Sequence, residues 1–195
     1  MDQRLIKDFE IPNKKIEAWK YTDLKKVFEK NNFKPLIKQD EAITDPLSID
    51  SNILNNIFFD PEVNFVIFEN GCLKKINIKS NDLEIESLDN KLENKVFNKK
   101  NFIRNDSLLD INSSFLNDNL VIKVKKNIKL KEPISIFYYN CEQEKYLINN
   151  RINIILEENA EAEINEIFLS NNKSTYWNNI HNYIYLKKNS KLEHY

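Results

Sequence analysis

Three stretches decide the fold: VKKNIKLK at 124–131, LEENAEAE at 156–163 and LKKNSKLE at 186–193. Each runs from an aliphatic residue through two charged residues to an asparagine and then into alternation, and the asparagines at 127, 159 and 189 stand 32 and 30 residues apart. A repeat of that length is the mark of stacked supersecondary units. Asparagine is the non-glycine residue that enters the left-handed region most readily. The pattern therefore describes a corner that recurs and a strand that returns to the same face one coil later. That is a β-solenoid, in which successive coils pair through their backbones around a ladder of Val, Ile and Leu. A β-sandwich, with turns about every 8–12 residues, is the second reading.

Outward from these corners the strands follow by alternation. Leu120, Ile122 and Val124 share one face, Ile128 and Leu130 continue it, Ile134 and Ile136 follow Pro133, and Ile152, Ile154 and Leu156 form the next inward set. Further back, 64–79 carries two apolar-rich runs around Asn70-Gly71, the dipeptide of a hairpin whose two turn residues both need positive φ, so a type I′ turn is expected. Residues 15–30 gather Ile16, Trp19, Leu24, Val27 and Phe28 on one side of a helical path. The path breaks near Thr22, with Thr22 or Asp23 as cap, and Pro35 ends it. From 38 to 60 the chain reads as loop with one helical turn near 49–57, and 80–119 as irregular, with short helices around 88–97 and 108–116. The chain then divides into 1–105, a small α+β N-terminal domain holding the hairpin, and 106–195, the first coils of the solenoid. The fold class is mainly β.

Composition removes several functions. Lys+Arg 29 against Asp+Glu 30 leaves a net charge of −1 with both signs spread along the chain, so no basic stripe exists to meet a nucleic-acid backbone. One Gly and five Pro exclude the glycine-rich phosphate cradles of dinucleotide folds and P-loops. The 31 asparagines do part of glycine's work at corners, or reflect a compositional drift toward Asn, Lys and Ile. Charges throughout the first ten residues leave no signal-peptide core and no stretch is long enough to span a bilayer, so no membrane association is expected and the cytoplasm is the default.

No residue set has catalytic spacing. Cys72 and Cys141 match no metal-ligand pattern and read as reduced thiols. His181 and His194 stand alone among Tyr and Asn. Glu157, Glu158, Glu161, Glu163 and Glu166 read as a solvated face, and the cluster Trp177, Tyr183, Tyr185 as rings stacking on the aromatics of an adjacent coil. No serine sits in a nucleophile elbow. Trp19 and Tyr21 are the residues singled out: either they pack within the chain, or their apolar rings and polar tips dock a second domain or a partner, with Glu17 and Lys20 as a charged rim.

One segment carries a family resemblance. EAWKYTDL at 17–24 strongly resembles the N-terminal signature of the SufD branch of the SufB/SufD family of iron–sulfur cluster assembly proteins. FVIFENGCL at 65–73, LKEPISIFY at 130–138, RINIILEENAEAEINEIF at 151–168 and LKKNSKLEHY at 186–195 resemble further family segments in the same order. SufB shares the core without a WKYTDL-like start, which favours SufD. The resemblance implies a helical N-terminal domain, a right-handed parallel β-helix and a C-terminal helical domain, of which this chain would be about the first half. It implies a scaffold or accessory subunit of the SUF system that is not an enzyme, working with SufB-like and SufC-like (ABC ATPase) partners, with a homodimer as a further option. No cofactor, catalytic residue or metal ligand is carried over to this chain, the Fe–S cluster belonging to the full complex. On this view the 195-residue piece ends on an uncapped strand and in isolation self-associates or is marginally folded. A carbohydrate-active or carbohydrate-binding β-helix protein is the alternative.

Overall fold

A computed structural model describes residue 6 and residues 9–36, 63–87, 106–141, 144–171 and 175–195. The helical turns expected near 49–57 and 88–97 lie outside the described residues. In chain order the elements are a 3₁₀ turn at Glu17–Trp19, α1 Leu24–Asn31, β1 Lys34–Pro35, β2 Asn64–Glu69, β3 Cys72–Asn77, β4 Leu83–Ser87 and α2 Ser107–Ser114, then β5 Asp118–Val124, β6 Ile134–Asn140, β7 Tyr146–Leu156, β8 Glu161–Ser170, β9 Tyr176–Leu186 and β10 Lys191–His194.

The strands after α2 alternate between two sheets. β5, β7 and β9 pair in parallel in one sheet, and β6, β8 and β10 in the other, so each strand lies beside the strand two places on. The registers stack like on like: Ile122 beside Ile154 beside Ile184, and Val124 beside Leu156 beside Leu186. Between the sheets Leu120, Ile122, Val124, Ile134, Ile136, Ile152, Ile154, Leu156 and Ile164 are all fully buried. These are the inward sets that alternation marks in the sequence.

The corners explain why asparagine recurs. Asn127, Asn159 and Asn189 have φ of 62°, 59° and 58°. Each is the third residue of a turn closed by Ile128 N–H to Lys125 O, Ala160 N–H to Glu157 O and Ser190 N–H to Lys187 O, with positive φ at that residue alone, as a type II turn requires. The three side chains form a column: Asn159 Nδ2 donates to Asn127 Oδ1 at 2.7 Å, and Asn189 Nδ2 to Asn159 Oδ1 at 3.1 Å. The first strand ends at its corner, so Ile128 and Leu130 do not extend it; they pack against the core from the far side of the turn.

Antiparallel strands close the starting edge. β3 folds back on β2, β2 runs parallel to β6, and β4 pairs antiparallel with β5, so the pairing joins residues on both sides of position 105. Asn70 and Gly71 have φ of 47° and 77°, the expected type I′ turn. Gly71 is required twice over, since a Cβ there would stand 2.6 Å from Ile148 Cγ2.

The N-terminal segment packs on the outside as a second small core of Ile6, Ile11, Phe33, Ile111 and Leu147, with Leu24, Phe28 and Trp177 against it. Asp23 caps α1 by accepting from the Lys26 amide at 3.2 Å. The helix stops at Asn32, left-handed at φ 54°, rather than at Pro35. Pro35 instead lies in β1, where only its neighbours bond, Lys34 N–H to Lys145 O and Leu36 N–H to Leu147 O. An edge position that asks nothing of the residue's own nitrogen suits proline.

Candidate functional site

Two surfaces carry side chains that the fold alone does not demand. The first is the 17–24 motif. Capping by Asp23 and the Leu24/Phe28 pair seat α1 on the small core, which leaves the preceding turn projecting. Trp19 is half-buried, whereas Tyr21 is 88% exposed, and Ile16 and Val27 are exposed beside the motif in sequence. Lys20 reaches over the Tyr21 ring, 5.2 Å from its centroid, and pairs with Glu17 at 2.6 Å. Among the described residues the Tyr21 ring is thus exposed rather than packed within the chain, with Lys20 and Glu17 beside it. On the flank of α1 lies a groove of about 540 Å³ lined in part by Phe9, Ile11, Phe28, Lys25 and Glu29.

The second lies at the last coil, between the sheets. Position by position, Val66 and Ile136 precede Glu166, Leu120 and Ile152 precede Asn182, and Ile134 and Ile164 precede His194. The inward rows thus turn from aliphatic to polar. The Glu166 side chain is only 10% exposed, and its Oε1 accepts from Asn182 Nδ2 at 2.5 Å and meets His194 Nε2 at 2.7 Å. The buried Tyr138 hydroxyl faces the same carboxylate without reaching hydrogen-bond geometry with any described residue. Burial first, then the charge and proximity of Glu166, push its phenol well above the usual range.

These contacts correct three sequence readings. Glu166 is not part of the solvated face: it shares the inward row with Ala162 and Ile164, whereas Glu161 and Glu163, at the alternate positions, face outward as expected. His194 is not solitary, because pairing β10 with β8 brings it to Glu166. The expected aromatic stacking belongs to other residues. Phe68, Tyr138 and Phe168 lie nearly parallel at 5.4 and 4.9 Å in successive coils, while Trp177 meets Phe28 and Phe33 edge-on and Tyr183 meets His181 and Arg151. Tyr185 is half-exposed. The signal for the true ladder was an aromatic recurring at coil spacing, 138 to 168.

The cysteines end up closer than their separation in sequence suggests. Cys141 Sγ lies 3.2 Å from Asn70 Nδ2 and 3.7 Å from Glu69 Oε1, and Cys72 is directly opposite Glu69. Even so, among the described residues no three His, Cys, Asp or Glu side chains converge. Outer-face glutamates are matched to lysines one coil away, Lys126 to Glu158, Lys129 to Glu161 at 2.5 Å and Lys187 to Glu157 at 2.6 Å.

A sequence profile of the SufBD protein N-terminal region matches residues 3–136, more than half the chain. The chain belongs to the SufBD family. It is similar to the iron-sulfur cluster assembly SufBD family protein slr0076 of Synechocystis sp. (strain ATCC 27184 / PCC 6803 / Kazusa), 24% identical over 210 residues, covering 97% of this chain and 44% of that protein. It is also similar to Protein ABCI7, chloroplastic, of Arabidopsis thaliana, 27% identical over 198 residues, covering 94% of this chain and 40% of that protein. The chain thus spans less than half the length of these two curated relatives. Among the described residues no helix is long and apolar enough to cross a membrane.

Proposed function

We propose that this SufBD-family chain is a scaffold component of iron–sulfur cluster assembly, of the SufD rather than the SufB type, that acts through its surfaces and catalyses nothing itself. The observation that carries the reading is the family match across 3–136, which contains the EAWKYTDL segment. The Synechocystis relative is named for iron–sulfur cluster assembly. The partners follow from that role: a SufB-like subunit and a SufC-like ABC ATPase, with the cluster built by the complex. The presented Tyr21, its Glu17–Lys20 rim and the groove along α1 are the docking features on this chain; an exposed ring of this kind is a common interface anchor. The cytoplasm is the proposed compartment, while the Arabidopsis relative's name places that protein in the chloroplast.

The test is co-purification. Tagged protein expressed from its natural reading frame together with SufB-like and ABC-type ATPase subunits of the same cell should elute with both as one complex. A folded protein that elutes alone, or that binds neither while retaining a glycan ligand, overturns the reading in favour of the carbohydrate alternative.

A further inference from the structure

We propose that Glu166, His194, Asn182 and Tyr138 form a binding site for a divalent first-row transition-metal ion, set between the two sheets at the β8–β10 level. The inference is independent of the assembly role.

The four side chains come from β8, β10, β9 and β6 and share the inward face of the coil, where the preceding coils place aliphatic residues at three of the four positions. A carboxylate on such a row is costly unless its charge is met. No lysine or arginine among the described residues faces it; the group opposite its Oε1 is the imidazole of His194. Two nitrogens crowd the single atom Glu166 Oε1, at 2.5 and 2.7 Å. Two oxygens beside it, Asn182 Oδ1 and Tyr138 Oη, are buried without a partner among the described residues. A half-turn of the Asn182 amide exchanges its nitrogen and oxygen and brings the oxygen toward the carboxylate. The donor set is then one imidazole nitrogen and three oxygens, the carboxylate and, once its proton is released on binding, the phenolate being the anionic ones. That set suits Zn²⁺ or Fe²⁺ better than the soft, thiolate-bound ions.

The spatial demand is modest. Ligands of a tetrahedral ion with bonds of roughly 2.0–2.2 Å stand roughly 3.3–3.6 Å apart, so the His194 and Glu166 atoms, 2.7 Å apart, need part by roughly 0.6–0.9 Å to admit one. The His194 side chain is 26% exposed, which opens a path from the β10 edge. The cation would replace a hydrogen-bonded arrangement that leaves two buried oxygens unpartnered.

Zn²⁺ is the probe, titrated calorimetrically into chelator-stripped chain at neutral pH, with Co²⁺ absorption as a second readout. The expected result is one ion per chain. Glu166→Gln and His194→Asn should each weaken binding by at least about tenfold, while the double variant Cys72→Ser, Cys141→Ser binds like wild type. Circular dichroism melts check that each variant is folded. If the buried Glu166→Gln variant fails to fold, His194→Asn at the exposed edge decides alone. Absence of saturable Zn²⁺ binding, binding that survives the substitution at His194, or binding lost with the cysteines overturns the proposal.

Discussion

At Asn159 the backbone φ is 59°, and its amide both donates to Asn127 and accepts from Asn189. Alanine there must hold a left-handed conformation with its Cβ and forfeits both side-chain bonds. A loss of about 1–2 kcal/mol is expected for Asn159→Ala. Glycine keeps the conformation and loses only the exposed bonds, so Asn159→Gly should cost about half as much, and urea unfolding of the two variants checks the order. Gly71 is the stricter case. Gly71→Ala combines positive φ with a 2.6 Å contact against Ile148, and the same measurement should show a loss of at least about 2 kcal/mol. Nearby, Asn150 Nδ2 donates to Gly71 O at 2.7 Å, which ties the hairpin turn to the inner wall of the second coil.

Within elements, β6 and β8 combine aromatic stacking with an awkward hydroxyl. Tyr138 lies between Phe68 and Phe168, yet its oxygen is buried without hydrogen-bond geometry among the described residues. Removing such an oxygen relieves a desolvated polar group. Tyr138→Phe should therefore leave stability unchanged or raise it by up to about 1 kcal/mol in thermal melts, a result that a satisfied hydroxyl would reverse. Titration gives a second handle. The raised phenol keeps its proton in the folded state, so the contribution it makes to stability is present below the unfolded value of about 10 and is lost as pH rises past it. Melting temperature should fall above about pH 10, less steeply in Tyr138→Phe. On the acid side, Lys126 beside Glu158 and Lys191 beside Glu193 hold those carboxyls below their ordinary range. Their contribution is present above about pH 4.3 and disappears as pH falls through the lower folded values. These pairs are exposed, so the acid loss should be small and should shrink further in high salt.

For the whole molecule, the projecting turn before α1 and the stacked sheets play separate parts. Tyr21 is 88% exposed and belongs to no core cluster among the described residues, so Tyr21→Ala should change unfolding free energy by no more than about 0.5 kcal/mol. The same variant should lower the yield of complex with the proposed partners, measured by co-purification. A large stability loss would instead make Tyr21 a packing residue. The parallel pairing of β5 to β10 means that each strand's partner lies two strands on in sequence. Removing one coil would break the backbone pairing on both of its sides, so the stack is expected to respond as a unit rather than strand by strand.

The sequence by itself determined the corners, the hairpin and the inward rows. Those features are local, since a left-handed residue, an Asn-Gly turn and alternation each follow from backbone sterics within a few residues. Asn127, Asn159 and Asn189, the turn at Asn70-Gly71, and the buried set from Leu120 to Leu156 were legible on that ground. The pairing of β4 with β5, the use of Pro35 in an edge strand, and the meeting of Glu166 with His194 and Asn182 were decided only by tertiary structure. Glu166 has Ile164 and Phe168 two places to either side, the pattern of an inward position, yet a charge there reads as solvated until a partner is known. His194 lies 28 residues away, and only the register of β10 on β8 brings its imidazole to that carboxylate, because strand pairing aligns residues a full coil apart that no local rule connects.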